Sequence, residues 1–170
     1  MDDVHYRAIK EYYGDRKAKR SQVPLMNHIE EGLIILDAID ASPSAQRAYC
    51  IHPIVQADDD LKEAVREGSR FNTYGLSAIA IALAMEYRRV ANNYLSIHYR
   101  NEYDIFDDSH LLDVNDMLIA DKVQNRKDFE LYHKGIHEHS NRLDWYFKNW
   151  LMKLEITEDQ YQVYKESITF

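Results

Sequence analysis

An all-α fold in a single domain is what this sequence predicts, on three observations. Five glycines and three prolines in 170 residues leave little punctuation for many short strands or for linkers. Apolar residues recur at three- and four-residue spacings along most of the chain, the period of amphipathic helices. Helix start and stop signals fall between those stretches. With 45% hydrophobic and 29% charged residues, the balance is that of a globular chain and not of a disordered one. A chain of this length can bury one continuous core. No repeat, low-complexity tract or linker divides it, so residues 1–170 are read as one domain.

The first helix is expected from about Asp3 to Lys17, with Val4, Ala8, Ile9 and Tyr12 on one face. Pro24 marks the next start, and Leu25 to Ala41 carries Leu25, Ile29, Leu33, Leu36 and Ile39 as its apolar stripe. Ser42-Pro43 pairs an N-cap serine with a first-turn proline. That helix should run to about His52, because Pro53 disfavours helical geometry at the residue before it. A short acidic helix, Asp58 to Glu67, closes at Gly68. Asn72-Thr73 opens a long helix to about His98, with Leu76, Ile79, Leu83, Tyr87, Val90 and Tyr94 turned inward. Arg100 to Ser109 reads as a polar loop with the potential to lie over a site. Helices from Leu111 to Lys134, ending at Gly135, and from His139 to Leu154 follow, the latter facing in with Leu143, Tyr146, Phe147, Trp150 and Leu151. Thr157 with Gln160 forms a capping box for the terminal helix.

A net charge of −8 argues against a nucleic-acid backbone as partner, since neutralising phosphates takes clustered Lys and Arg. The run Arg16-Lys17-Ala18-Lys19-Arg20 is the local exception; it reads as a solvated helix end, with enough cations for a small phosphorylated ligand. The single cysteine, Cys50, excludes an intramolecular disulfide and fits a reducing compartment. Met1-Asp2-Asp3 is acidic and lacks an apolar signal core, and the most apolar run, Leu76 to Met85, is about half a membrane span. A cytoplasmic protein without a membrane partner is expected. Among thirteen tyrosines, Tyr12, Tyr13, Tyr94, Tyr99 and Tyr103 are candidates for a base-stacking shelf, although half-buried helix packing is the commoner use. The C-terminal aromatics Trp145, Trp150, Tyr161, Tyr164 and Phe170 suit either core cover or a dimer face.

Three polar residues sit among apolar neighbours: His28 between Leu25 and Ile29, His52 between Ile51 and Ile54, and Asp121 between Ile119 and Val123. Each needs a partner if buried. A satisfied core residue accounts for any one alone, and a shared metal accounts for all three. His133 and His137 form a rival pair at helical spacing with Glu138 nearby. Gly135 between them is expected to end the helix and leave them exposed. No glycine-rich phosphate loop or nucleophile elbow is present, and Cys50 has no obvious histidine partner.

Three segments carry a resemblance. Arg20-Ser21-Gln22-Val23-Pro24-Leu25-Met26-Asn27-His28 looks like the stretch that opens the RelA/SpoT-type alarmone hydrolase domain, a member of the HD-type metal phosphohydrolases. Ala48-Tyr49-Cys50-Ile51-His52 resembles that family's helix leading into its His-Asp doublet. Leu118-Ile119-Ala120-Asp121-Lys122-Val123-Gln124-Asn125-Arg126 resembles its Ala-Asp-Arg segment, with Asn four residues after the Asp. The three occur in the family's order over about residues 5 to 135, and the short chain resembles stand-alone alarmone hydrolases, including those that phages carry.

The resemblance implies an HD-domain-like helical fold in which His28, His52 and Asp121 bind a divalent metal, usually manganese. Arg20, Lys122, Asn125 and Arg126 would then bind a small nucleotide, with guanosine tetraphosphate the first candidate. Asp121 and Asn125, four apart, share one helix face, so a ligand on the metal can also reach the amide. The chain departs from the pattern at two places. Pro53 stands where the family has the Asp of the doublet, leaving two histidines and one carboxylate. Gln56-Ala57 stands where it has the Glu-Asp pair that positions the attacking water. Asp58, Asp59 and Asp60 follow directly; the usual reading is a helix N-terminus rich in Asp, and the alternative is that one of them, Asp58 or Asp59 first, substitutes as the base if the Pro53 turn shifts the backbone. Two functions are therefore expected: an HD-like nucleotide phosphohydrolase with an altered motif, or an inactive scaffold of the same fold that binds a nucleotide or a basic protein partner.

Overall fold

Helix Pro43–Gln56 is buried on nearly every side, at Ala45, Ala48, Tyr49, Ile51, His52, Ile54 and Val55. A helix without a wet face belongs inside a bundle. In this computed structural model, residues 3–19, 21–69, 75–96 and 105–169 are described. Among them eight helices follow in order: α1 (Val4–Tyr13), α2 (Met26–Ala38), α3 (Pro43–Gln56), α4 (Asp58–Ala64), α5 (Ala78–Ser96), α6 (Leu112–Tyr132), α7 (Ser140–Lys153) and α8 (Glu158–Ser167). The fold is all-α, with no strand among the described residues. The central α3 packs on α1 and α5 and also meets α2 and α6, while α6 packs on α2, α7 and α8. No helix is long and apolar enough to cross a membrane.

The caps are those that the sequence signals. Ser42 Oγ accepts from the Ala45 N–H at 3.1 Å, and Thr157 with Gln160 forms the reciprocal capping box. The inward face of α7 is the expected one, with Tyr146, Phe147, Trp150 and Leu151 buried. On α5 the stripe is displaced by a residue at its start. Ile79 is 61% exposed, and Ala80, Ala84, Tyr87, Ala91 and Tyr94 face the core. The alanines on that face allow close approach to a packed neighbour, which Ile79 would prevent.

Several boundaries differ from expectation for physical reasons. The first helix stops at Tyr13, because Gly14 adopts a positive φ of 53° and closes the last turn onto Lys10 O. The cationic run is therefore not a helix end. Lys17 pairs with Pro24 in an isolated antiparallel bridge, with Ala18 N–H on Val23 O and Leu25 N–H on Arg16 O. The second helix ends at Ala38, before Asp40 at a φ of 58°. The acidic helix ends at Ala64, and α6 at Tyr132, two residues before Lys134. Asn72, Thr73 and His98 lie outside the described residues, and α5 begins at Ala78.

The third helix contradicts the expectation most informatively. It runs through Pro53 to Gln56 instead of stopping at His52. The proline withholds the N–H that the Tyr49 carbonyl would otherwise accept. The imidazole of His52 takes that place, its Nδ1 lying 2.7 Å from Tyr49 O.

Tyr94 is no part of a stacking shelf. It is fully buried, with its ring on Phe106 (centroids 3.9 Å apart) and on Tyr146, and Tyr99 and Tyr103 lie outside the described residues. Phe106 also packs on Trp150, which anchors the described part of the 100–109 loop. Trp150 and Tyr161 belong to the core, Trp145 is partly exposed, and Phe170 is outside the described residues.

Candidate metal centre

Three helices each bring one ligand-type side chain to the same point. His28 stands in the first turn of α2, His52 near the end of α3, and Asp121 in the middle of α6. His28 Nε2 and His52 Nε2 are 3.3 Å apart, and Asp121 Oδ1 lies 3.5 Å from the first and 3.9 Å from the second. Three atoms so spaced share a point about 2.1 Å from each, the distance at which imidazole nitrogen and carboxylate oxygen bind a first-row divalent cation. Among the described residues this is the group able to hold a metal ion. His133 and His137 do not form a second one. The helix ends before them, and Gly135 turns the chain with a φ of 78°.

Both histidines present the correct nitrogen. Gln124 donates its amide N–H groups to Glu31 Oε2 and Asp128 Oδ2, each at 2.9 Å. Carboxylates only accept, so the amide oxygen must be the atom 2.8 Å from His28 Nδ1, and that nitrogen carries the hydrogen. His52 Nδ1 donates to the Tyr49 carbonyl. In each ring the hydrogen is committed outward and Nε2 offers its lone pair inward, the arrangement of metal-binding histidines. Three acceptors facing one another repel unless a cation or a proton lies among them.

The outer partners are themselves neutralised. Lys127 Nζ lies 2.8 and 2.7 Å from the two oxygens of Glu31 and 2.9 Å from Asp128 Oδ1. Gln124, Glu31, Lys127 and Asp128 were no part of the sequence-derived site. Their signal is the polar set Gln124, Lys127 and Asp128 at helical spacing beside buried Val123 and Phe129.

Asp121 is held at both oxygens. Lys122 Nζ is 2.6 Å from Oδ2, and Asn125 Nδ2 donates to Oδ1 at 2.9 Å. Burial alone would raise the Asp121 carboxyl, but Lys122, His28 and His52 outweigh it and keep it ionised below the usual carboxylate range. Burial, with His28 beside it, pushes the His52 imidazole down to about 3 against the pull of Asp121, so His52 is neutral. Burial would lower Lys122, yet Asp121 raises it above an ordinary lysine. Its ammonium also faces the rings of Trp150 and Tyr146 at 5.4 and 5.5 Å.

The cluster lies at the wall of a pocket of about 630 Å³, a volume suited to a small ligand. Lys122 and Asn125 line it; Tyr12, Tyr13, Leu143 and Phe147 give it an apolar flank. Arg20 lies outside the described residues. Arg126 is elsewhere: one residue on from Asn125, it points away and grips Glu158 with two bonds of 2.8 Å, its guanidinium 3.8 Å over the Tyr161 ring. It ties α8 down and does not reach a ligand in the pocket.

Asp58 and Asp59 do not line the pocket. Their side chains are 79% and 96% exposed, Asp58 pairing with Arg88 and Asp59 with Lys62. Two positions on along α4, Asp60 faces the pocket and accepts from the Tyr12 hydroxyl at 2.6 Å. Gln56 is occupied differently, its amide donating to Asn92 Oδ1 at 2.6 Å.

The chain matches no protein-family model, no curated protein and no solved structure.

Proposed function

We propose that this pocket binds a divalent metal and hydrolyses a phosphate ester of a small nucleotide. The observation that carries the reading is the convergence of His28, His52 and Asp121, with both outer imidazole nitrogens committed to fixed acceptors. A bound divalent cation would supply Lewis acidity towards a phosphoryl oxygen and a water of lowered pKa. Asn125 and Lys122 orient the Asp121 carboxylate, and Lys122 adds a positive charge to the pocket wall. Asp60 offers a carboxylate to receive the proton of the attacking water. Tyr12 and Tyr13 supply rings against which a base can stack. Manganese and guanosine tetraphosphate are the first metal and substrate to try, on the resemblance of the three sequence segments.

A second reading has its own observation. Proline at 53 and the Gln56-Ala57 pair remove the carboxylates that the resemblance expects, so the pocket would serve as a binding scaffold for a nucleotide or a basic protein. Chromatographic product analysis after incubation with manganese and a nucleotide panel separates the two. Turnover by the wild type that is lost in His52→Ala supports the enzyme; a folded, metal-loaded and inert protein supports the scaffold.

A further inference from the structure

Helical residues normally give their N–H to the carbonyl four positions back. Pro53 has none to give, and the carbonyl it would have served belongs to Tyr49. That oxygen receives His52 Nδ1 at 2.7 Å. In an uninterrupted helix the oxygen would also accept a main-chain N–H, dividing its two lone pairs between two donors. Here the ring has the oxygen without that competitor.

We infer that Pro53 is a positioning residue: by freeing the Tyr49 carbonyl, it fixes the hydrogen of His52 on Nδ1 and leaves Nε2 bare towards His28 and Asp121. An imidazole free to carry its hydrogen on either nitrogen would spend part of its time presenting N–H to the cluster, where it cannot ligate. Tyr49 serves the other histidine segment as well, since its hydroxyl donates to His28 O at 3.2 Å. One residue therefore receives the His52 ring on its carbonyl and ties down the helix that bears His28. The ring of His52 is further confined between Tyr49 and Tyr87, with centroids 4.8 and 4.7 Å away. Packing sets the plane of the ring, and the freed carbonyl sets which nitrogen holds the hydrogen.

The inference rests on the metal reading for its purpose but not for its test. The variant is Pro53→Ala, which restores the main-chain donor with the best helix former. Nitrogen-15 NMR of the imidazoles in metal-free protein should find His52 wholly in the Nδ1–H form in the wild type and mixed in the variant. Manganese titration by calorimetry should find affinity about tenfold lower in the variant, the scale of losing an outer partner of a ligating histidine. The melting temperature should hold or rise, so reduced affinity cannot be ascribed to unfolding. An unchanged tautomer in Pro53→Ala overturns the inference, whatever its affinity. A wild type that binds no manganese overturns the metal reading, while the tautomer comparison still decides the part played by Pro53.

Discussion

The phenol ring of Tyr49 occupies the space that a β-carbon on Gly32 would fill. Gly32 lies one helical turn after His28, so the absence of a side chain there lets the Tyr49 hydroxyl reach His28 O. Alanine at this position cannot be accommodated at the far end of a flexible chain, because Tyr49 is fully buried. Gly32→Ala should destabilise the fold by about 1–3 kcal/mol, overpacking outweighing the better helix propensity. It should also weaken metal binding by moving His28 relative to His52. Urea unfolding and manganese titration check both; a variant as stable as wild type would mean that Tyr49 has room to retreat.

Lys122 and a metal would compete for the same charge on Asp121. In metal-free protein the ammonium is the nearest counter-ion of a buried carboxylate, at 2.6 Å. Lys122→Met should therefore cost about 3 kcal/mol without metal, since breaking a buried pair strands the other charge. Removing the cation should at the same time raise manganese affinity by about tenfold or more, as one repelling charge is gone. The expected signature is a melting temperature below wild type without metal and a larger rise on adding manganese. Equal rises in the two proteins would show that Lys122 does not oppose the ion.

The all-α class, the Ser42 and Thr157 caps and the inner face of α7 were legible because each depends on residues within one helical turn of another. The meeting of His28, His52 and Asp121 was legible through their apolar neighbours and the order of three local segments, since nothing local brings α2, α3 and α6 together. The helix through Pro53 was hidden because the rule against proline considers the lost N–H and not a side chain able to use the freed carbonyl. Choosing Asp60 over Asp58 and Asp59 depends on how α4 is rotated, and a run of three aspartates contains no apolar marker of that rotation. Arg126 is misread for a related reason. It adjoins Asn125 in sequence but lies about 100° away around the helix, towards Glu158.

Attachment of α8 should depend on pH through Glu130. Its Oε1 receives Arg126 Nε at 3.1 Å, and its Oε2 receives the Tyr161 hydroxyl at 2.9 Å and Lys165 Nζ at 2.7 Å. Burial alone would raise this carboxyl, but Lys165, Tyr161 and Arg126 lower it below its ordinary 4.5. A carboxyl depressed in the folded state stabilises the fold above its unfolded value, and that stabilisation disappears as pH falls through the folded value. Glu130→Gln should be less stable than wild type by about 1–2 kcal/mol at pH 7, the scale of a charged hydrogen-bond network discounted for partial exposure. The gap should narrow below pH 4.5 and close in stronger acid. Unfolding curves over that range test this, and a gap independent of pH would assign the effect to packing.

Asp60 and its two neighbours give the sharpest test of the proposed chemistry. Asp60 shares the pocket with His28, His52 and Asp121, whereas Asp58 and Asp59 face solvent with Arg88 and Lys62. If the carboxylate takes a proton from the attacking water, Asp60→Asn should lower kcat by about 100-fold or more, the usual contribution of a general base. Asp58→Asn and Asp59→Asn should leave turnover within about twofold of wild type, since neither lines the pocket. The Tyr12 hydroxyl, 2.6 Å from Asp60 Oδ1, holds the carboxylate in place, so Tyr12→Phe should lower kcat less than Asp60→Asn does. Steady-state kinetics of the four variants on the best nucleotide of the panel separates these effects. A large loss in Asp58→Asn with none in Asp60→Asn would mean that α4 turns about its axis when substrate binds, and would refute the assignment of Asp60.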